Sequence, residues 1–234
     1  MGQAGVEAID WQQVLEQLEQ RGAALTGPFL PPAEAQELSK LFDQEALFRK
    51  TIVMQRHGYG AGCYRYFDYP LPEPIQALRQ ALYSQLVGLA RHWAAQLGLD
   101  QVYPDRLDAY LEACHAAGQR RPTPLLLRYG PGDYNRLHQD LYGALAFPLQ
   151  VVIQLSQPGQ DFAGGEFVLV EQRARMQGRP LVLQPAQGEA VIFANSLFPT
   201  PGSRGPVRAQ LRHGVSPLTA GARTTLGLIF HDAA

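Results

Sequence analysis

Apolar residues in the first part of the chain recur at three- and four-residue steps, the period of a helix that buries one side. Trp11, Val14, Leu15 and Leu18 form one such stripe; Asp10 stands where a cap is needed and Gly22 where the helix should stop. Pro31 and Pro32 open a second helix, predicted over 33–42, with Leu38, Leu41 and Phe42 inward. A strand is predicted over 47–54, followed by a glycine-rich loop over 55–62. After Pro70, Pro72 and Pro74, the spacing of Leu78, Leu82, Leu86, Leu89 and Trp93 predicts the longest helix, over 75–97, whose task is packing. Leu107, Leu111 and Cys114 mark one more.

From Pro124 the period shortens to that of strands. Residues 124–129 read as a short strand closed by the turn Gly130-Pro131-Gly132-Asp133. Further strands are expected over 149–155, 166–170, 181–184, 190–194, 209–215 and 224–230, with turn signals such as Gly164-Gly165 and Ala220-Gly221 between them. Many short strands with regular turns indicate a sandwich or jelly roll, not a parallel sheet with crossover helices. The expected fold class is therefore α+β, a double-stranded β-helix (jelly roll) core with N-terminal packing helices. One domain over 1–234 is expected, with 1–120 mainly helical and 121–234 forming the jelly-roll core.

Composition narrows the setting. At 46% hydrophobic and 18% charged residues the chain is globular rather than disordered. It has neither the run of about 20 apolar residues that a membrane span needs nor a basic, then apolar, secretory leader in residues 1–7. Cys63 and Cys114 make no metal pattern and are expected as reduced thiols, which points to the cytoplasm. A net charge of −1 argues against a globally basic nucleic-acid binder. Yet apart from Lys40 and Lys50 every cation is an arginine. Either the genome favours arginine codons, or part of the set forms a planar phosphate-binding surface.

The chemistry concentrates late in the chain. In His138-Gln139-Asp140, an imidazole and a carboxylate two residues apart face the same side of an extended segment. Arg212-His213-Gly214-Val215, on a later strand, supplies a second imidazole. Two histidines and one carboxylate on one face leave three positions open on a metal, the arrangement of non-haem iron(II) oxygenases; these positions take a bidentate 2-oxoacid and dioxygen. Zinc usually prefers a closed tetrahedral site, so the set favours iron(II). Arg223 begins the last strand, where a buried guanidinium suits the distal carboxylate of 2-oxoglutarate. The segment 56–69 interleaves arginines with aromatics, and His57, Tyr59, Tyr64 and Tyr66 are candidate substrate residues. The competing reading is a β-segment whose alternate tyrosines pack. His92 and His115 are expected as surface or packing residues and His231 as structural. The arginine groups Arg173, Arg175, Arg179 and Arg204, Arg208, Arg212 either rim a cavity or are solvated.

At these residues the sequence resembles the 2-oxoglutarate/iron(II) dioxygenase superfamily. Leu127-Arg128-Tyr129-Gly130-Pro131-Gly132-Asp133 followed by His138-Gln139-Asp140 looks like the corresponding segment of AlkB-type enzymes, which oxidatively remove alkyl groups from damaged bases. The resemblance implies that Tyr129 hydrogen-bonds 2-oxoglutarate, alongside Arg223 and Thr225 at its far carboxylate. The interval from His213 to Arg223 looks more like the prolyl-hydroxylase branch. Most of the chain is also similar to a family of bacterial oxygenases described as acting on damaged DNA, through the segments Gly164-Gly165-Glu166-Phe167-Val168-Leu169 and Arg212-His213-Gly214-Val215-Ser216. Two features depart from AlkB enzymes. Leu127 stands where they place a polar residue, and their second arginine has no counterpart after Arg223.

Three readings follow. The first is oxidative demethylation of alkylated bases in single-stranded or damaged nucleic acid, a DNA-repair role, with dioxygen and 2-oxoglutarate as co-substrates. The second is hydroxylation of a peptide, amino acid or small metabolite. The third is a non-catalytic jelly-roll binding protein.

Overall fold

The computed structural model describes residues 3–203 and 205–234, so Arg204 lies outside the described residues. The helices are α1 (Gln3–Glu7), α2 (Trp11–Arg21), α3 (Pro32–Lys40), α4 (Glu73–Leu97) and α5 (Leu107–Ala116). The strands before residue 120 are β1 (Ala23–Pro28), β2 (Phe48–Val53), β3 (Gly60–Ala61) and β4 (Cys63–Phe67). Then come β5 (Leu125–Tyr129), β6 (Tyr134–His138), β7 (Leu149–Gln154), β8 (Phe162–Gly164), β9 (Phe167–Arg173) and β10 (Arg179–Leu183). The last are β11 (Glu189–Ala194), β12 (Leu197–Thr200), β13 (Val207–Val215), β14 (Leu218–Gly221) and β15 (Arg223–Ile229).

The helices form where their stripes and caps require. The Asp10 carboxylate accepts the Gln13 N–H, and Gly22, at φ 69°, ends α2 by donating its own N–H to Leu18. In α4 the expected stripe is the buried one, from Leu78 through Trp93. The second helix is shorter than expected: α3 gives way to a tighter 3-10 turn at Leu41–Asp43, which carries Phe42 into the core.

Strands are dealt alternately between two antiparallel sheets. One has the order β1-β11-β7-β15-β5-β4-β2 and the other β10-β9-β13-β6-β3, with β12 on β13 and β8 paired to β14. Thus β5, β7, β11 and β15 lie in the first sheet, and β6, β9 and β13 in the second. The main core, including Leu82, Leu86, Trp93, Leu126, Ile153 and Leu228, joins α4 to the first sheet. No helix among the described residues is long and apolar enough to cross a membrane.

Residues 1–120 carry strands as well as the expected helices. Of these strands, β1, β2 and β4 extend the first sheet, and β3 the second. Periodicity misses β4 because both its faces are covered: Tyr64 and Tyr66 face a cavity, while the Arg65 guanidinium lies 4.7 Å over the Phe42 ring. The expected loop over 55–62 holds a 3-10 turn at Met54–His57 and the short β3. Gly60 permits that pairing, since it sits at φ 139° and a Cβ there would lie 2.3 Å from the Tyr134 carbonyl oxygen.

The end of the chain is locked to the helices by a buried ion pair. Arg79 of α4 donates from Nε to the Ile229 carbonyl and from Nη2 to Asp232 Oδ1, each at 2.9 Å. The Tyr69 hydroxyl donates to Asp232 Oδ2 at 2.8 Å, and His115 Nε2 stands 2.8 Å from the same oxygen. His115 is therefore tied to a buried carboxylate and is more than a surface residue. Adjacent to Asp232 in sequence, His231 is wholly buried, with Nδ1 accepting the Phe147 N–H and Nε2 without a partner among the described residues.

Two outcomes follow from this lock. Asp232→Ala leaves Arg79 charged and uncompensated in the core, a loss of about 3–5 kcal/mol in urea denaturation; an unchanged midpoint would refute the role given to the pair. Burial pushes the His231 pKa from 6.5 down to about 4. Protonation is then harder in the folded than in the unfolded chain, so stability is complete above pH 6.5 and declines as pH falls towards 4. The decline attributable to His231 is at most about 3 kcal/mol, and His231→Gln should flatten that part of the stability–pH curve.

Candidate active site

Strands β6 and β13 run antiparallel with His138 directly opposite His213, the ring centroids 4.1 Å apart. A bulge follows this pair, and Gly214 makes it possible: a Cβ there would lie 2.7 Å from the Asn135 carbonyl oxygen. Asp140 lies beyond the end of β6, so strand alternation alone does not hold it. Asn195, just after β11, takes that part. Its Oδ1 accepts the Asp140 N–H at 3.1 Å and its Nδ2 donates to the Asp140 carbonyl at 2.6 Å. Between the two, Gln139 turns the opposite way and donates to Ser196 Oγ at 3.0 Å and the Leu211 carbonyl at 2.8 Å.

One ligating atom from each of His138, Asp140 and His213 lies within 4.8 Å of the others. Asp140 Oδ2 is 3.3 Å from His213 Nε2, and Oδ1 is 3.6 Å from His138 Nε2. His138 Nδ1 stands 2.7 Å from the Arg136 carbonyl, which suits an Nδ1–H donor and leaves Nε2 as the free lone pair. Burial alone would raise the Asp140 pKa, but hydrogen bonding and charge from His213, the charge of His138 and the Tyr142 hydroxyl together hold it well below the usual carboxylate range. Burial, then the neighbouring His138, lowers the pKa of His213. A carboxylate and a neutral imidazole are the forms that bind a metal, and the donor set fits iron(II).

These donors open into a cavity of about 410 Å³ between the sheets. On its opposite wall stands Arg223 of β15, 1% exposed, with Nε donating to Gln154 Oε1 at 3.0 Å. Among the described residues it forms no salt bridge, although burial lowers its pKa only to about 10 and it stays charged at neutral pH. The Tyr129 hydroxyl is also buried and has no hydrogen-bond partner of good geometry, only the approach of the Asn135 side chain. Thr225 and Gly227 line the same cavity. Glu166 acts on Arg223 only through its charge, without a salt bridge. A buried cation with no ion pair of its own, beside a free hydroxyl, is a cradle for a carboxylate.

Tyr59, Tyr64 and Tyr66 line the same cavity as His138, Asp140, His213, Arg223, Tyr129 and Thr225. His57 does not; it is exposed and stacks on Tyr59 with centroids 5.3 Å apart. Neither predicted arginine group lines the cavity in the described residues. Arg173 and Arg179 pair with Glu171, Arg208 donates to the Leu97 carbonyl, and Arg175 and Arg212 are exposed. Instead Arg136 lies at the cavity wall. Sequence reasoning also missed Tyr142, Gln150, Gln154 and Asn195. The alternation from His138 through Asp140 reaches Tyr142, and Gln150 and Gln154 are polar interruptions in a buried strand; Asn195 carries no comparable signal.

The sequence pattern of the Oxygenase-NA family, described as "Oxygenase, catalysing oxidative methylation of damaged DNA", matches residues 62–233. Two uncharacterized proteins of Mycobacterium tuberculosis, from strains CDC 1551 and H37Rv, are each 52% identical over 168 residues, 72% of this chain and 72% of theirs. Among solved structures, a Pseudomonas putida prolyl-4-hydroxylase superposes with a TM-score of 0.54 at 17% identity, over 96% of this chain and 99% of that one. An oxidoreductase of the 2OG-Fe(II) oxygenase family from Burkholderia pseudomallei gives a TM-score of 0.53 at 20% identity, over 96% and 93%. A Trichoplax adhaerens prolyl hydroxylase in complex with a hypoxia inducible factor peptide gives 0.55 at 16%, over 97% and 90%. With most of its length matched, the chain belongs to the Oxygenase-NA family: it is an oxygenase, hence an oxidoreductase, on the fold shared with these prolyl hydroxylases and the 2OG-Fe(II) oxygenase-family protein.

Proposed function

We propose that this chain uses iron(II), 2-oxoglutarate and dioxygen to remove methyl groups oxidatively from alkylated nucleic-acid bases. The observation that carries the co-substrate is the buried Arg223 guanidinium without a carboxylate partner, across the cavity from three converging metal donors. His138, Asp140 and His213 would hold the metal; Arg223, Tyr129 and Thr225 would hold the distal carboxylate. Bound there, the pair supplies oxidative decarboxylation coupled to hydroxylation of a substrate C–H bond. The residues around it position the reactants and exclude water. A hydroxylated N-methyl carbon releases formaldehyde, so this chemistry takes methyl groups off rather than adding them. The alternating strands read as the two halves of a double-stranded β-helix in one domain over 1–234. The separate free thiols of Cys63 and Cys114 fit a cytoplasmic site of action.

Support for a base as substrate is the family description together with the aromatic wall of Tyr59, Tyr64 and Tyr66 beside Arg136. Each stacked base contributes ~1–3 kcal/mol, and a base within a duplex must first be flipped out. A second reading, hydroxylation of a peptide, amino acid or small metabolite, is favoured by one observation: the two arginine groups do not line the cavity in the described residues, so few positive charges await a phosphate backbone.

Anaerobic reconstitution with iron(II), then turnover with methylated oligonucleotides and a metabolite panel, separates the readings. Formaldehyde released only with methylated bases is expected; turnover stimulated only by peptides or metabolites would move the assignment to hydroxylation. Binding of both cofactors without succinate under any condition would indicate a non-catalytic protein. Arg223→Met should weaken 2-oxoglutarate binding by roughly ten- to a hundredfold, the worth of charge-assisted hydrogen bonds, and wild-type affinity in that variant would remove its role. His138→Ala and Asp140→Ala should abolish turnover; oxidation at the wild-type rate in either would sink the metal assignment.

A further inference from the structure

Resting on the metal reading of the site, we propose that Tyr142 is a positioning residue that restricts Asp140 to one oxygen towards the ion, so that a third coordination position stays open. The count decides why this matters. A six-position ion with two imidazoles and a single carboxylate oxygen keeps three places, enough for a bidentate 2-oxoacid and dioxygen. If the carboxylate chelates with both oxygens, a place is lost and the two co-substrates no longer fit together.

A hydrogen-bond chain engages one of the two oxygens. The Tyr142 hydroxyl lies 2.6 Å from Asp140 Oδ1, and the Tyr66 hydroxyl lies 3.0 Å from that of Tyr142. A carboxylate only accepts hydrogen bonds, so the direction of the chain is set: Tyr66 donates to Tyr142 and Tyr142 donates to Asp140. Oδ2 lies 3.3 Å from His213 Nε2, nearer than the 3.6 Å between the Tyr142-bonded Oδ1 and His138 Nε2. Tyr66 is itself fixed. Arg49 lies 4.6 Å over its ring and donates to the Pro122 carbonyl at 3.0 Å, and Tyr64 meets it edge-on at 5.4 Å. Asn195 meanwhile clamps the Asp140 backbone from both sides. With backbone and one oxygen both held, the Tyr142 bond opposes rotation of the carboxylate into a chelating pose.

Tyr142→Phe keeps the ring against Tyr66 and His231 and removes only the hydroxyl. Manganese(II) serves as the probe, because water-proton relaxation reports the exchangeable waters it carries. The variant should bind manganese(II) as tightly as the wild type or more tightly, carry one fewer exchangeable water, and bind 2-oxoglutarate about tenfold more weakly in the manganese form, the scale of outer-shell effects at metal sites. An unchanged water number overturns the proposal. So does a loss of metal affinity with the water number intact, which would make the hydroxyl a simple support of the ligand. If Tyr142→Phe does not fold, Tyr66→Phe, which frees the outer end of the chain, should shift both readouts the same way and less. Failure of the wild-type protein to hold manganese(II) would remove the metal reading and this proposal with it; retained metal binding with the wild-type water number in the variants would remove the proposal alone.

Discussion

The antiparallel pairing of β6 with β13 places His138 opposite His213, and the rest of the site is arranged around that register. Side chains alternate faces along a strand, so a slip of one residue would turn one imidazole away from the cavity and bring a residue such as Arg212 to it. The pairing is held on both sides, since β13 also runs along the whole of β9. Asp140, past the end of the strand, gains through Asn195 the orientation that a ladder would otherwise provide. The geometry of three donors thus comes from two mechanisms, a strand register and a side-chain clamp.

Two buried arginines show how the same chemical group serves different ends. Arg79 has Asp232 and a backbone carbonyl as partners, and it ties the chain's last residues to α4. Arg223 has a neutral amide, Gln154, and feels Glu166 only through its charge, with no salt bridge among the described residues. A buried charge left with so little compensation costs stability, and an incoming anion recovers that cost. Both lie on one mechanical path: β15 carries Arg223 at its start and runs on to the residues locked by Arg79, so Arg79 helps fix where Arg223 stands.

Much of this was legible in the sequence, for identifiable reasons. Helical period, the Asp10 cap and the Gly22 stop placed the helices because local hydrogen bonds and one-sided burial are set by near neighbours. The convergence of His138, Asp140 and His213 was readable from residue type and parity, and Arg223, Thr225 and Tyr129, the last suggested by the family resemblance, line the same cavity. Short strands covered on both faces escaped: β1 is small and apolar, β4 alternates aromatics with arginine, and neither shows a polar side. His57 was misplaced because sequence nearness to Tyr59 does not say which of two neighbours turns inward. The arginine groups were misjudged for a similar reason, as Glu171 and the Leu97 carbonyl, distant in sequence, claim several of them.

The sequence by itself determined the chemistry available: which donors, which cation, and which periods of helix and strand. Only the tertiary structure decided that His138 faces His213, that Asn195 and Tyr142 reach Asp140 from opposite sides, and that Arg223 is buried without a salt bridge among the described residues. These facts depend on contacts between segments far apart in the chain, such as β6 with β13 and residue 140 with 195. Such contacts are selected by packing of the whole core, and local propensity carries no record of them.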